Sequence, residues 1–335
     1  MVKDQVITDR YAIYNGDCMQ VVTGLEDNSI DLSVYSPPFA NLYTYSSSDL
    51  DMSNVSSHSE FIEQYEFLVK EMARVTKKGR INAIHITDIC EVNGTLSDFP
   101  NKIIKLHLKY GFEYKGRTTI FKEPLKVRIR TMVQSLMHKF IVEDSTKCFP
   151  ANPDYILIFK KKGESEVPVT HKFGLTHYAG ETPILPNMLR AWNNANNSNL
   201  TDTELWDHLT RTKENDKISK LNHYIWQRYA SAVWDDIREG NVLPFKDSKE
   251  EDDEKHVTPT QLDVIDRLVD LYSNPNEVVF SPVTGIGTDI FSPVSMGRKA
   301  IGVELKESYF KQAVLNMTDA EKRFRKSQTT QKTLF

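Results

Sequence analysis

A glycine-rich turn between two apolar segments near the end of the chain constrains the fold more than any other feature. Residues 277–280 predict a buried strand, residues 281–288 form the turn, and a helix is predicted to run through Met296. Residues 300–303 are apolar again and predict the next strand. A strand, turn, helix and strand in this order are typical of an α/β sheet.

The residues of this turn suit a nucleotide-like ligand. Gly285 and Gly287 allow the backbone to approach a ligand closely, and the helix N-terminus behind them presents N–H groups. Glu304 stands at the end of the following strand, about 20 residues after Gly285, which is the offset at which an acid reaches ribose hydroxyls in nucleotide-binding folds. A lone Gly-x-Gly is weak evidence, and the spacing strengthens it.

A second motif, Ser36-Pro37-Pro38-Phe39, ends an apolar segment at residues 30–35 that predicts another strand. Proline has no N–H, so the carbonyls of Ser36 and Pro37 form a rigid rim of acceptors beside the Ser36 hydroxyl. Phe39 adds a flat apolar face for a planar ring. Such a corner fits an exocyclic amine on a heterocycle, although two prolines after a strand are also typical of a simple turn.

The order of these two motifs resembles that of the β-class amino methyltransferases of DNA, in which a (Ser, Asp or Asn)-Pro-Pro-aromatic motif precedes the S-adenosylmethionine motif. The resemblance covers most of the chain: residues 14–18 resemble the opening motif, residues 258–262 resemble the segment before the glycine-rich strand, and residues 302–304 resemble the ribose-binding acid. Phage and prophage members are the most similar, particularly through residues 226–237. The cofactor loop departs from the family's Asp-Pro-Phe-x-Gly-Ser-Gly-Thr at Ser281 and Val283, so the pocket is expected to lose one carboxylate and one aromatic ring.

The resemblance implies a role for each matching residue. The catalytic residues would be Ser36, Pro37, Pro38 and Phe39. The residues that hold S-adenosylmethionine would be Asp17, Thr260, Ser281, Pro282, Thr284, Gly285, Gly287, Thr288 and Glu304.

The rest of the chain predicts a doubly wound, Rossmann-like α/β sheet with a mainly helical insertion. Helices are predicted at residues 59–75 and 101–110, and strands at residues 81–86 and 154–159. The pattern becomes irregular and then helical after residue 163. The sequence therefore divides into a catalytic part at 1–162, a target-recognition insertion at 163–254 and a cofactor-binding part at 255–335.

Double-stranded DNA is the expected partner, although the net charge of −4 is not the basic balance typical of DNA-binding proteins. The acidic run at residues 250–254 accounts for much of that charge. Candidate contacts to phosphates or base edges are Arg128, Arg130, Arg190, Arg211 and Arg228. Aromatic residues at helical spacing in the insertion predict a core rather than stacking platforms, namely Trp206, Tyr224, Trp226, Tyr229 and Trp234.

Composition predicts a protein of the reducing cytoplasm without a metal site. The three cysteines show no CxxC or His-Cys spacing, and no segment approaches the roughly 20 apolar residues of a membrane span. His58 and His85 have no evident metal-binding neighbours and are assigned no catalytic role.

Tyr43 and Tyr45 follow the catalytic motif and are candidates for contact with an extruded base.

The sequence thus predicts methyl transfer from S-adenosylmethionine to the amino nitrogen of a flipped DNA base, as in restriction-modification systems. Ser36 slightly favours N4 of cytosine over N6 of adenine by resemblance, while the chemistry of the two amines is alike. The alternatives are a protein-glutamine methyltransferase, disfavoured by motif order, and a catalytically silent DNA-binding protein. A homodimer is possible, and a restriction partner is not predictable from the sequence.

Overall fold

The computed structural model describes residues 2–38, 58–89, 95–131, 134–171, 174–175, 177–181, 186–211, 215–245, 248 and 259–333. Phe39, Tyr43, Tyr45 and Thr258 lie outside the described residues. No helix within the described ranges is both long enough and apolar enough to cross a bilayer.

Nine strands of the described chain form one sheet in the order β1-β2-β9-β8-β3-β4-β6-β5-β7. The strands β2, β9, β8, β3 and β4 are parallel neighbours, and β6 runs antiparallel to β4 and β5. The bounds are β1 Asp4–Ile7, β2 Tyr11–Asn15, β3 Ile30–Tyr35, β4 Thr76–Thr87, β5 Phe112–Ile120, β6 Asp154–Lys161, β7 Val233–Trp234, β8 Val278–Ser281 and β9 Lys299–Glu304.

Helices connect the strands and cover the sheet. They are α1 Cys18–Thr23, α2 His58–Val75, α3 Phe99–Lys109, α4 Pro124–Thr131, α5 Lys139–Glu143, α6 Pro186–Asn196, α7 Asp202–Arg211, α8 Asn215–Tyr229, α9 Leu262–Tyr272, α10 Thr288–Ser295 and α11 Glu307–Thr333. Short 3₁₀ turns occupy Gln134–Leu136 and Ser145–Lys147.

The central strand β3 shows why the sheet is covered on both faces. All six of its residues are buried, as expected of a parallel strand between two helical layers. Leu32 and Val34 pack with Val264 and other residues of α9. Tyr35 belongs to the core that α2 and α3 cover, and its hydroxyl lies 2.9 Å from that of Tyr65. The predicted doubly wound α/β sheet is confirmed.

Two features of the fold differ from, or extend, the sequence-based expectation. Strand β4 begins at Thr76, directly after α2, rather than near residue 81, because Thr76 pairs with Ile30 before a register shift along β3. The helical region α6–α8 has a small core of its own around Leu205, Tyr224 and Ile225. The division into three parts and the recognition role of residues 163–254 stay predictions.

Candidate active site

Strand register brings the proline-rich corner against a histidine. Tyr35 of β3 pairs with Ile84 of β4, so the next residues in the two parallel strands, Ser36 and His85, become neighbours. The Ser36 Oγ atom lies 3.0 Å from Nδ1 of His85. Pro37 is buried, while Ser36 and Pro38 are partly exposed. The predicted corner therefore stands at the carboxyl end of β3, next to a side chain to which the sequence analysis gave no role.

Strand β6 places a carboxylate on the other side of the same histidine. Thr87 pairs with Asp154 and His85 pairs with Ile156, which makes His85 and Asp154 diagonal neighbours on one face of the sheet. His85 Nε2 lies 3.0 Å from Asp154 Oδ2. The ammonium group of Lys122, just beyond β5, lies 2.7 Å from the same oxygen and is only 8% exposed.

These contacts keep Asp154 ionised. Burial alone would raise the pKa of the Asp154 carboxyl, but hydrogen bonds and charge attraction from His85 and Lys122 hold that pKa well below its usual range. Ser36, His85, Asp154 and Lys122 thus form a chain of polar contacts across β3, β4, β6 and the end of β5. We call these four residues the catalytic corner, after the role predicted for Ser36.

The cofactor turn, residues 281–288, lies at the carboxyl end of β8, the strand beside β3. Gly285 has φ of +55° and Gly287 has φ of +94°, in a backbone region that residues other than glycine rarely adopt. A Cβ on Gly285 would meet nothing within 4 Å among the described residues. The buried Thr284 hydroxyl has no hydrogen-bond partner in the described part of the chain. Open space beside a glycine-rich turn and an unsatisfied buried hydroxyl fit a bound ligand with polar groups.

A carboxyl group lies next to this turn although residue 281 is a serine, and the loss of a carboxylate from the pocket itself stays a prediction. Ser281 is fully buried, and its hydroxyl donates a hydrogen bond of 3.0 Å to Oδ2 of Asp289 on α10. Burial raises the pKa of Asp289 to about 7, and the hydrogen bond from Ser281 only partly offsets this effect. Two residues, Ser281 and Asp289, therefore place a carboxyl group behind the position where the family motif has an aspartate.

The remaining predicted cofactor residues lie along the same edge of the sheet. Strands β2 and β9 pair in parallel so that Asn15 stands opposite Glu304, and the Asn15 side chain donates to the Glu304 carbonyl at 2.9 Å. Glu304 Oε1 accepts a hydrogen bond from the Lys306 backbone N–H at 2.8 Å. The Asp17 carboxylate caps α1 by accepting from the Met19 N–H at 3.0 Å, which gives Asp17 a structural role besides the predicted one.

Thr260 connects the two halves of the edge, because its Oγ1 atom lies 3.4 Å from His85 Nδ1. The carboxyl ends of β2, β9, β8, β3 and β4 thus carry Asp17, Glu304, the cofactor turn, Ser36 and His85 in a row. Ligands of doubly wound sheets bind at this edge. The roles assigned to the individual residues stay predictions.

Among the predicted DNA contacts, the assignment of Arg228 is wrong. Its guanidinium is buried in the protein, 2.9 Å from Asp236 and 3.0 Å from Asp235. Asp236 also binds Arg267 at 2.6 Å. Because its guanidinium is buried against these carboxylates, Arg228 is not available to a phosphate.

The exposure of the other four predicted arginines is described for two of them. Arg190 on α6 is exposed and Arg128 on α4 is partly exposed, while the side chains of Arg130 and Arg211 lie outside the described residues. Of the aromatic residues predicted to form a core, Trp226 is exposed by 51%, whereas Tyr224, Tyr229 and Trp234 are buried and Trp206 is partly buried against the same cluster.

Sequence reasoning missed four residues near the site, namely His85, Asp154, Lys122 and Asp289, and one of them left a signal. His85 interrupts the apolar strand residues Ile84 and Ile86 close to the predicted carboxyl end of β4, and a polar residue there faces the ligand edge. Asp154 and Asp289 gave no comparable signal, because their roles depend on an antiparallel register and on a helical turn.

Comparisons with known proteins agree with this geometry. A family model described as DNA methylase, of the N6/N4 class, matches residues 30–315. The chain is 24% identical over 305 residues to the type II methyltransferase M.BamHI of Bacillus amyloliquefaciens, covering 91% of this chain and 56% of that protein. It is 23% identical over 317 residues to the type II methyltransferase M1.MboII of Moraxella bovis, covering 92% of this chain and 97% of that protein. The chain thus spans little more than half of the first relative and nearly all of the second.

Solved structures share the fold at low sequence identity. The protein TTHA0409 of Thermus thermophilus, in complex with S-adenosyl-L-methionine, superposes with a TM-score of 0.58 at 18% identity, covering 93% of this chain and 95% of that chain. The PvuII DNA methyltransferase, named as cytosine-N4-specific, superposes with a TM-score of 0.57 at 14% identity, covering 97% of this chain and 96% of that chain.

Proposed function

Because the chain belongs to the N6/N4 family of DNA methylases, we propose that it methylates the exocyclic amino nitrogen of a base in DNA, with S-adenosylmethionine as the methyl donor. The observation that supports this most directly is the position of the Ser36-Pro37-Pro38 corner on β3, the strand next to the cofactor turn of β8. An amine held by the corner would be beside a ligand held by the turn. The proposal places the target base at the carboxyl end of β3.

The proline-rich motif Ser36-Pro37-Pro38-Phe39 would hold the amine and orient its lone pair. The Ser36 hydroxyl and the Pro37 carbonyl would accept the two amine hydrogens, and Phe39 would stack on the base. This arrangement localises the nitrogen lone pair, which is otherwise delocalised into the ring, and directs it to one side. The base must leave the duplex to reach the corner, at a cost of about a few kcal/mol.

The cofactor would lie between the turn and the acids along the edge. Glu304 and Asp17 would contact its ribose and adenine, and residues Thr260, Ser281, Pro282, Thr284, Gly285, Gly287 and Thr288 would surround its methionine part. When bound, S-adenosylmethionine supplies an electrophilic methyl group. The cationic ligand would lie near the buried pair of Ser281 and Asp289. The carboxyl group of that pair belongs to Asp289, and its pKa is raised to about 7.

Cytosine N4 is the slightly favoured target, and adenine N6 is close behind. The fold neighbour PvuII DNA methyltransferase is named as cytosine-N4-specific. The motif of this chain begins with a serine, Ser36, and resembles the motif of N4-cytosine enzymes more often than that of adenine enzymes, which favour Asp or Asn. Both amines offer two similar hydrogens, so the contacts of Ser36 and Pro37 do not separate them.

The deciding experiment is transfer of labelled methyl from S-adenosylmethionine to unmodified DNA, followed by nuclease digestion and mass identification of the nucleoside. We expect N4-methylcytosine, whereas N6-methyladenine would support the class and reverse the choice of base. A folded protein that labels a glutamine peptide but no DNA would contradict the proposal, and one that binds DNA without any transfer would be the silent binder.

For DNA binding, we propose that Arg190 of α6 and Arg128 of α4 each contact the phosphate backbone of DNA. Removing one arginine from a phosphate should reduce the salt dependence of binding by about one ion. The variants Arg190→Ala and Arg128→Ala should weaken DNA binding with a shallower salt slope, while cofactor binding is unchanged. An unchanged salt slope in both would place the DNA elsewhere. Homodimer formation stays a prediction.

A further inference from the structure

We propose that His85, oriented by Asp154, is a positioning residue that makes the Ser36 hydroxyl a pure hydrogen-bond acceptor toward the target amine. His85 also receives the proton of Ser36 when Ser36 takes one from the amine. This inference rests on the proposed function and deepens it. It concerns the catalytic corner alone, and its basis is the set of contacts that join Ser36, His85, Asp154 and Lys122.

The contacts fix the tautomer of His85. An ionised carboxylate only accepts hydrogen bonds, so the Nε2 atom, 3.0 Å from Asp154 Oδ2, must carry the hydrogen. The Nδ1 atom of neutral His85 is then an acceptor. Ser36 Oγ, 3.0 Å from Nδ1, must be the donor in that contact.

This assignment determines what the Ser36 hydroxyl offers the substrate. A hydroxyl has one hydrogen to donate and two lone pairs that accept. Since the hydrogen points to His85, the lone pairs are directed away from it and are available to the amine. Hydrogen bonds in a chain polarise one another, so the Asp154 carboxylate strengthens Ser36 as an acceptor through His85.

The same contacts give the surplus proton a route. The amine nitrogen forms the new N–C bond with its lone pair, the departing sulfur keeps the electron pair of the broken S–C bond, and the nitrogen carries one positive charge. That nitrogen passes one proton to Ser36 Oγ as Ser36 passes its own to His85 Nδ1. His85 ends as an imidazolium beside Asp154, Ser36 is regenerated, and the imidazolium later returns its proton to solvent.

The charges that contact this chain are balanced. Lys122 and Asp154 form a buried ion pair at 2.7 Å, so neutral His85 lies beside a pair without net charge. Thr260 Oγ1 also approaches Nδ1, at 3.4 Å, and is the longer of the two hydroxyl contacts. A purely structural His85 would tie β3, β4 and β6 together with the same distances, so the test must separate the two roles.

The first measurement is the ring-nitrogen NMR spectrum of histidine-labelled protein, with His85→Gln used to assign the signal. We expect the Nε2–H tautomer at neutral pH and a changed Nδ1 shift in Ser36→Ala. The Nδ1–H tautomer, or no response to Ser36→Ala, would overturn the proposal. This readout needs no methyl transfer, so it decides the case even if the protein proves inactive on DNA, which would count against the proposed function instead.

The second measurement is single-turnover methyl transfer across pH, with affinities for cofactor and DNA measured in parallel. We expect His85→Gln to slow transfer about 10²-fold with both affinities nearly unchanged, in keeping with the usual value of a proton acceptor. Asp154→Asn should also slow transfer, because an asparagine amide does not hold the Nε2–H tautomer of His85 as a carboxylate does. His138→Gln, an exposed histidine on the surface, is the matched control and should behave as wild type.

A double-mutant cycle completes the test. Residues that act as a unit are not additive, so Ser36→Ala/His85→Gln should be about as slow as Ser36→Ala alone. Multiplied losses would show that His85 acts independently of Ser36 and would reject the proposal. A wild-type rate and an unchanged pH profile in His85→Gln would reject it as well.

Discussion

Two buried carboxyl groups stand at the same edge of the sheet and differ in their ionisation. Asp154 in the catalytic corner has two cationic or hydrogen-bonding partners, His85 and Lys122, and its pKa lies well below the usual range. Asp289 behind the cofactor turn has the neutral Ser281 hydroxyl as its hydrogen-bond partner, and its pKa is raised to about 7. Asp154 is the more exposed of the two, with 18% of its side chain accessible, but burial raises the pKa of both groups, so their partners decide the net direction of each shift. The carboxyl group beside His85 and Lys122 is therefore an anion at neutral pH, whereas the carboxyl group behind the glycine-rich turn has a pKa close to neutral pH.

The largest effect should come from breaking the catalytic end alone. Ser36→Ala removes the hydroxyl that is proposed to accept a hydrogen bond from the target amine, and losing one preorganised partner of this kind costs about 10²–10³ in rate. The cofactor turn belongs to β8 and α10, so affinity for S-adenosylmethionine should be retained. Single-turnover transfer and calorimetric titration test the two halves of this prediction. A purified variant with normal turnover would remove Ser36 from the mechanism.

The contrast between the two ends also explains how much the sequence could predict. The glycine-rich turn lies in one continuous unit from β8 to β9, so the placement of Gly285, Gly287 and Glu304 at one edge of the sheet could be predicted from spacing alone, while their contacts to a cofactor stay predictions. The catalytic corner is assembled by strand register from Ser36, His85 and Asp154, which are far apart in the chain.

Neither the antiparallel pairing of β6 nor the role of Lys122 beyond β5 leaves a local pattern. The prediction for Arg228 failed for a different reason, since its partners Asp235 and Asp236 are close in the chain but the burial of the guanidinium depends on how the end of α8 packs. The apolar strand and helix pattern predicted the sheet, while the polar contacts depended on which strands pair.

Asp289→Asn tests the cofactor end. Because its pKa is raised in the folded protein, Asp289 binds a proton that the unfolded chain has already lost between about pH 4 and pH 7. The free energy of unfolding therefore falls as pH rises through this window and levels off above it. Asp289 accounts for at most about 4 kcal/mol of that fall, since a difference of one pKa unit between the folded and unfolded protein corresponds to about 1.4 kcal/mol.

The asparagine variant should lack this contribution and keep the hydrogen bond from Ser281. Urea unfolding of both proteins at pH 4, 5.5, 7 and 8 measures it. Parallel curves for wild type and variant would mean that Asp289 does not titrate in this range.

Lys122→Met should make the catalytic carboxyl resemble the cofactor one. The lowered pKa of Asp154 contributes stability that is present above about pH 4 and is lost as pH falls through the folded-state value. Without Lys122 the carboxylate loses one buried partner, at a cost of about 1–3 kcal/mol at neutral pH.

That cost should shrink below about pH 4, where Asp154 is protonated in the unfolded chain and the ion pair matters less. Lys126→Met is a matched control, since the Lys126 ammonium pairs with Glu239 at an exposed position and such pairs contribute about 0–1 kcal/mol. Equal losses in the two variants would contradict the importance of burial.

The smallest expected effect on stability, and the most selective on binding, comes from Gly285→Ala. A positive φ of +55° costs an alanine about 1 kcal/mol, and the new methyl group would meet no described atom within 4 Å. The methyl would instead occupy the space left for the cofactor, so affinity for S-adenosylmethionine should fall at least about tenfold, or ~1.4 kcal/mol. Gly116→Ala on β5 is the control for backbone strain, because Gly116 has φ of +137° and equally open surroundings. If both variants bound the cofactor like wild type, the space beside Gly285 would not be the binding site.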